Sequence, residues 1–444
     1  MDVRDMKAMR ESLDVFVAQF DDCVKMRPSR RHLRTYVAGQ VGGLESKSVE
    51  PMALGAGVSP RALQKFLSEY RWDEDAMLQR LRELVMRDHA SPDAEASGQT
   101  PAPMEASGQT PAPVVASGQT PAPVVAVIDD TSFPKKGDKT AGVQRQYCGA
   151  SGKIDNCVVA VHLGYVADGF RVLVDCDLFL PEASWSKDRK RCREAGIPDD
   201  MSHRPKWQIA LSLLERSMAG GMRFAALTAD EAYGQVSAFR KGVAALGLTS
   251  VVEVPCKTSG WTVCPPLEKA DAEPGRGRPR TRDRLAVGAN KARRVDRLWG
   301  CGGPSWQAYH VKDTEKGPVV WEARAVRFLP WEDGLPGEEC WLVVARNVLE
   351  KETKYFLSNA SKDTPVEKML GIAFSRAHIE RCFEDAKGEV GMDHFEVRTY
   401  LALKRHLILS MVSLLFLTQQ SERLRGKKSV LEPVSGAADS RGAA

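Results

Sequence analysis

The hydrophobic pattern divides the chain into stretches of different period. In residues 7–20 (KAMRESLDVFVAQF) apolar side chains return every three to four positions, the interval that lines one face of an α-helix. Residues 59–70 (SPRALQKFLSEY) repeat it behind Ser59 as N-cap and Pro60 at the first helical position, with Leu63, Phe66 and Leu67 on one face. A short helix ending in glycine (VEPMALGAGV) precedes this segment, and residues 73–88 add an amphipathic helix that starts at Asp73. Helix, glycine-containing turn and capped helix is the order of a helix-turn-helix, and equally of any small helical bundle. Residues 1–92 are expected to form a helical DNA-binding domain.

The periodicity then stops. ASGQTPAPME, ASGQTPAPVV and ASGQTPAPVV occupy 96–105, 106–115 and 116–125, rich in Pro, Ala, Ser and Gly and almost without charge. Such a tract cannot bury a core, so 93–125 is expected to be a disordered linker. Beyond it the apolar run VVAVID (124–129) has the look of a strand buried on both faces. Strands are expected at 157–166 and 170–181, with Asp168-Gly169 as a hairpin turn, then a helix at 205–219, a strand at 224–230, a helix at 236–246 and a strand at 249–255. A meander followed by crossovers makes a mixed α/β sheet.

Residues 256–340 break that rhythm with Gly, Pro and Trp and are expected to be a β-rich insertion between a first core part (126–255) and a second (341–420). The second part should hold a strand pair (341–346, 354–358) and two helices, about 365–390 and 396–418, the latter apolar nearly all round and so buried. Residues 421–444 read as a flexible tail.

Composition narrows the class. Of 444 residues 43 % are hydrophobic and 27 % charged, which excludes wholesale disorder, a collagen or a membrane bundle. The longest apolar run, Leu407–Leu417, stops at eleven residues and carries Ser410 and Ser413, against the ~18–20 needed to span a bilayer. The N-terminus has charges throughout and no apolar h-region, so a cytoplasmic, nucleoid-associated protein without membrane contact is expected. The ten cysteines show no C-x2-C spacing and are expected to be inert thiols.

The net charge of +5 says less than its distribution. Residues 276–296 carry eight basic and two acidic groups, and 27–34 carry Arg27, Arg30, Arg31 and Arg34 with no acid. Clustered cations suit a polyanionic partner, and also suit a solvated basic loop.

Three acids stand out by position. Asp130 follows VVAVID and Asp230 closes FAALTAD, each at the C-terminal end of an apolar strand, where open α/β sheets bind ligands. Glu380 lies on the 365–390 helix in a polar stripe of Arg376, Glu380, Glu384 and Lys387. Three converging carboxylates would suit Mg2+ or Mn2+, which prefer anionic oxygen donors. Plain readings stand beside this one: Asp130 capping the next turn, Asp230 capping helix 236–246, and Glu380 as a surface ion-pair partner of Arg376.

At these residues the sequence resembles the bacterial insertion-sequence transposases of the DDE class, whose catalytic core is RNase H-like. VIDDTSFPKKG (127–137) resembles the first-Asp motif, TADEAYG (228–234) the second, and IERCFEDAKGEVGMDHFEVRTYLALKRH (379–406) the third block, and 142–161 and 178–198 resemble further blocks of that class. Arg376, Glu380 and Lys387 fit the R-x3-E-x6-K spacing of one branch, whereas Ala373 stands where that branch has Tyr. The resemblance implies an RNase H-like mixed sheet flanked by helices, with a β-rich insertion and an N-terminal helical domain.

It further implies Asp130, Asp230 and Glu380 as catalytic ligands of Mg2+ or Mn2+, with Asp129 the alternative to Asp130. Arg376, Lys387, Arg30, Arg31 and the RGRPR tract (Arg276, Arg278, Arg280) would contact DNA, and Trp261, Trp299 and Trp306 would stack on a base or simply pack. The implied function is metal-dependent cleavage at transposon ends and strand transfer to target DNA by a homodimer. The alternatives are a nuclease without strand transfer and a catalytically silent DNA-binding derivative.

Overall fold

The computed structural model describes residues 3–89, 123–270, 282–299, 303–314, 317–347, 349–350 and 352–431. The chain divides into two compact units, one of residues 1–81 with 384–444 and one of 82–383.

In the first unit α1 (Val3–Ala18), α2 (Arg27–Val41), α3 (Val49–Gly55), α4 (Pro60–Ser68) and the start of α5 (Glu74–His89) accompany a long C-terminal helix. Ser59 makes no side-chain cap on α4, where Pro60 alone marks the start, whereas Asp73 Oδ1 accepts from Ala76 N at 2.9 Å ahead of α5. The C-terminal helix, Tyr400–Leu431, packs on α2 and α4. Its segment Tyr400–Leu424 is long and apolar enough to cross a membrane by length and composition, yet 78 % of an 18-residue apolar window within it is buried inside the protein. A polar ladder threads its apolar surface: His406 Nδ1 lies 2.7 Å from Tyr36 Oη, Ser410 Oγ accepts from Gln40 at 2.8 Å, and Ser413 Oγ donates to Gln40 at 2.8 Å. Buried polar groups need such partners. Residues 384 onward group with the N-terminal helices rather than with the core part expected to run to 420, and the helix continues to Leu431, into the tail expected from 421.

The second unit is a mixed sheet flanked by helices, the RNase H-like arrangement expected. β1 (Val125–Pro134) lies between antiparallel β3 (Lys153–Ala167) and parallel β5 (Ala226–Ala229). β2 (Gln144–Cys148) and β4 (Phe170–Leu178) both pair with β3, and β6 (Thr249–Val254) runs parallel to β5. The short α6 (Arg189–Glu194) and then α7 (Lys206–Ala219) follow β4; α7 packs on β3 and β4. After β5 come α8 (Glu231–Gly234) and α9 (Ser237–Ala245), both packed on β6. Asp168, at φ 43°, and Gly169, at φ 82°, make the β3–β4 turn read from the sequence.

Most of the β-rich segment extends this sheet, while one short pair of its strands forms a separate two-stranded sheet. It contributes β7 (Ser259–Trp261), the separate pair β8 (Leu267–Glu268) and β9 (Arg284–Leu285), β10 (Arg293–Arg294), β11 (Gln307–Thr314), β12 (Gly317–Glu332) and β13 (Leu335–Pro336). β12 pairs with β14 (Cys340–Asn347), β14 with β15 (Thr353–Ser358), and β15 with β6, all antiparallel. The expected 365–390 helix is broken: α10 (Val366–Phe374) ends where Ser375 N and Oγ both return to Gly371 O, and α11 (Ala377–Gly388) restarts beyond Arg376.

Candidate active site

The apolar run of β1 does not end at its aspartates. β1 pairs with β3 as far as Pro134, but its pairing with β5 stops at Ile128↔Ala229, so the sheet opens beside Asp129 and Asp130. Asp130 was expected at a strand end; it sits in mid-strand, at the point where the parallel neighbour has ended.

Adjacent strand residues point to opposite faces, and directly opposed residues of an antiparallel pair share one. Gly164, opposite Val127, lies beneath α11, where a Cβ would meet Ile379 Cδ1 at 3.3 Å. His162, opposite Asp129, sets its ring edge-on to Phe383 of α11 at 5.2 Å. Asp129 therefore shares the α11 face, and Asp130 points to the face that carries α7.

The contacts follow that division. Asp129 Oδ2 lies 3.3 Å from Arg376 Nη1, and the Arg376 Nη2 lies 2.7 Å from Glu380 Oε1. The same guanidinium approaches Glu253 at 3.8 Å, which Lys354 meets at 3.3 Å. On the other face Asp130 Oδ2 accepts from Lys206 Nζ, the first residue of α7, at 2.9 Å and from Tyr233 Oη at 3.3 Å. Asp230 caps α8, its Oδ1 accepting from Ala232 N at 3.0 Å and Tyr233 N at 3.3 Å. The plain readings thus hold in part: Asp230 is a helix cap, though of α8 rather than of α9, and Glu380 is an ion-pair partner of Arg376.

Electrostatics mark these groups as crowded. Burial and then the Asp230 charge push the Asp129 carboxyl up to about 7, with Arg376 opposing. Burial, and beyond it the Asp130 charge, raises the Asp230 carboxyl too, against the backbone hydrogen bonds of its cap. Mutual repulsion among buried acids is what a bound cation relieves.

Among the described residues no three His, Cys, Asp or Glu side chains stand together as a ready metal cluster. The expected direct convergence of Asp130, Asp230 and Glu380 is not present: Arg376 links Glu380 to Asp129, and Lys206 takes Asp130. The donor set still fits a hard divalent ion. Its oxygens are all carboxylate, and Asp129, Asp130, Asp230, Glu253 and Glu380 outnumber Arg376, Lys206 and Lys354.

The other expected contacts are dispersed. Lys387 lies in the last turn of α11, seven residues beyond Glu380. Arg276, Arg278 and Arg280 lie outside the described residues. In α2, Arg30 donates to Val24 O at 2.8 Å, and Arg34 holds Asp21 through both carboxylate oxygens at 3.0 and 3.1 Å, while Arg27 and Arg31 are exposed. Trp261 is buried with its Nε1 on Asn290 O, and Trp299 and Trp306 hold the Arg324 guanidinium at 3.9 and 4.4 Å, which is packing rather than an open stacking surface. Ala373, in place of the expected Tyr, is buried in α10.

Lys206, Tyr233 and Glu253 are site residues that sequence reasoning passed over. Tyr233 lies within the second motif itself, three residues after Asp230, which was its only signal. A cleft of about 780 Å³ opens just past α8, lined by Gln235, Lys241, Lys257 and Trp331 among others; Trp331 is 52 % exposed.

Residues 19–98 and 112–318 match the family model described as DDE superfamily endonuclease. Those bounds take in Asp129, Asp130 and Asp230 and stop before Arg376 and Glu380. A probable transposase for the insertion sequence element IS701 of Microchaete diplosiphon is 35 % identical over 109 residues, 24 % of this chain and 26 % of that protein. The likeness thus spans about a quarter of that relative's length. With the family model matched over more than half of its residues, the chain belongs to the DDE superfamily endonucleases.

Proposed function

We propose that this chain is an insertion-sequence transposase that cuts DNA at the ends of its element and joins the freed 3′-hydroxyl to target DNA. The observation that carries the reading is the acidic cluster where β1 outruns β5: an aspartate pair on one strand, Asp230 at the end of the next, and Glu380 brought in through Arg376. One aspartate of the β1 pair, with Asp230 and Glu380, would hold Mg2+ or Mn2+, which supplies an activated oxygen nucleophile and stabilises the leaving oxygen of a phosphodiester.

The protein's own groups bind and orient. Arg376 offers a planar donor set to a phosphate once DNA enters, and Lys387 adds a second cation on the same helix. Arg27 and Arg31, exposed on α2, serve phosphate contact better than Arg30 and Arg34, which hold Asp21. The open cleft just past α8, with Lys257 and the exposed Trp331, supports passage of a nucleic-acid strand. Holding two ends together calls for a homodimer on DNA, acting on the nucleoid in the cytoplasm.

The test is Mg2+-dependent nicking and strand transfer on DNA bearing the element's ends. Asp230→Asn should abolish nicking yet leave end binding within about threefold, since binding rests on phosphate contacts elsewhere. A variant that still nicks at the wild-type rate refutes the proposal.

A further inference from the structure

We infer that Asp129, not Asp130, supplies the β1 ligand of the divalent ion, and that Asp130 is a positioning residue which fixes Asp230 through Tyr233. This rests on the transposase reading above and deepens it.

Register decides the first half. Glu380 is borne by α11, and α11 covers the face of β1 that Val127 and Asp129 share, as the Gly164–Ile379 and His162–Phe383 approaches fix. A cation within reach of Glu380 lies on that face. The Asp130 side chain leaves the strand on the opposite side. Arg376 already demonstrates the common reach of the other two: two nitrogens of its one guanidinium touch Asp129 and Glu380, at 3.3 and 2.7 Å. One cationic group therefore fits between those carboxylates, and no such group joins Glu380 to Asp130 among the described ion pairs.

Contacts decide the second half. One oxygen of Asp130 is engaged by both the Lys206 ammonium and the Tyr233 hydroxyl. The Lys206 ammonium, at 2.9 Å, holds that carboxylate on the α7 face, away from Glu380. The Tyr233 hydroxyl runs from α8 back to β1, while the Tyr233 N–H binds Asp230. Asp130 thus tethers α8 by its aromatic residue, and α8 holds the Asp230 carboxylate by its first N–H groups. Tyr233 is almost fully buried, 1 % exposed, so the tether cannot swing.

The test compares Asp129→Asn, Asp130→Asn, Tyr233→Phe and Asp230→Asn in the full chain. Binding of MnCl2 is read from the free-ion electron paramagnetic resonance signal, nicking from kcat and KM for end DNA, and folding from thermal melting. Asp129→Asn should weaken Mn2+ binding about tenfold or more, because it removes a direct ligand. Asp130→Asn and Tyr233→Phe should keep Mn2+ affinity within about threefold while kcat falls roughly tenfold or more with KM unchanged, the mark of a displaced group. Tyr233→Phe removes a single hydroxyl and serves if Asp130→Asn does not fold. Loss of Mn2+ binding in Asp130→Asn, or its retention in Asp129→Asn, overturns the inference. If Asp230→Asn binds Mn2+ as the wild type does, the transposase reading itself falls, and the inference with it.

Discussion

Gly234 closes α8 against β6, and the distance there sets a sharp steric condition. A Cβ at this position would lie 1.9 Å from the carbonyl oxygen of Glu253 and 3.2 Å from Val252 Cβ. Real Cβ contacts do not come below 3.0 Å. The nearest obstacle is backbone, so no rotamer change relieves it, and Gly234→Ala must part α8 from β6 by about 1 Å. α8 carries Asp230 at its start and Tyr233 beside Gly234, so both move with it. A catalytic group displaced by ~1 Å costs about 100-fold in rate, while overpacking of this kind costs about 1–3 kcal/mol in stability. The assay is single-turnover Mg2+-dependent nicking alongside a thermal melt. Gly371→Ala in neighbouring α10, where a Cβ meets nothing within 4 Å, is the control. It should nick normally and gain roughly 0.5–1 kcal/mol from helix propensity. Wild-type nicking by a folded Gly234→Ala would refute the claim that α8 places Asp230.

Two further substitutions probe the frame. Asp175 on β4 is wholly buried, held by Arg82, by Arg216 Nε at 2.7 Å and by Ser217 Oγ at 3.1 Å. Asp175→Ala strands two guanidiniums and should cost about 3–5 kcal/mol, lowering the melting temperature by roughly 10 °C; a shift under 2 °C would contradict the pairing. In the helical unit Arg405 donates to the carbonyls of Leu67 at 3.0 Å, Tyr70 at 2.8 Å and Trp72 at 3.3 Å, pairs with Glu74, and lies 4.6 Å over the Trp72 ring. Arg405→Ala should speed amide exchange across the α4–α5 junction, and Arg405→Lys should not restore it, because an ammonium cannot reproduce the planar fork.

The strands that carry the site were legible because each is an apolar run stopped by an acid, VVAVID and FAALTAD. Glu380 was legible from its four-residue spacing to Arg376. What escaped is a matter of single-residue phase. Two adjacent aspartates differ only in the face they occupy, and that face is set by pairing with β3 and by α11, more than 200 residues downstream. Lys206 and Tyr233 escaped for the same reason: each meets Asp130 across a sequence distance that no local pattern encodes. The break at Ser375–Arg376 is a local hydrogen-bond choice, the N–H groups of Arg376, His378 and Ile379 bonding three residues back rather than four, inside a segment whose apolar spacing reads as one helix. The fusion of the β-rich segment with the core sheet depends on long-range pairing of β12, β14 and β15, which composition does not reveal.

Where the cation sits can be mapped directly. Fe2+ with ascorbate and peroxide, added to the full chain in place of Mg2+, generates hydroxyl radicals that cut the backbone beside the bound ion. Cleavage should fall in three segments, near Asp129 in β1, near Asp230 at the start of α8 and near Glu380 in α11, and excess Mg2+ should suppress all three together. Cuts confined to other parts of the chain, or cuts at these segments that Mg2+ leaves unchanged, would contradict a shared carboxylate site.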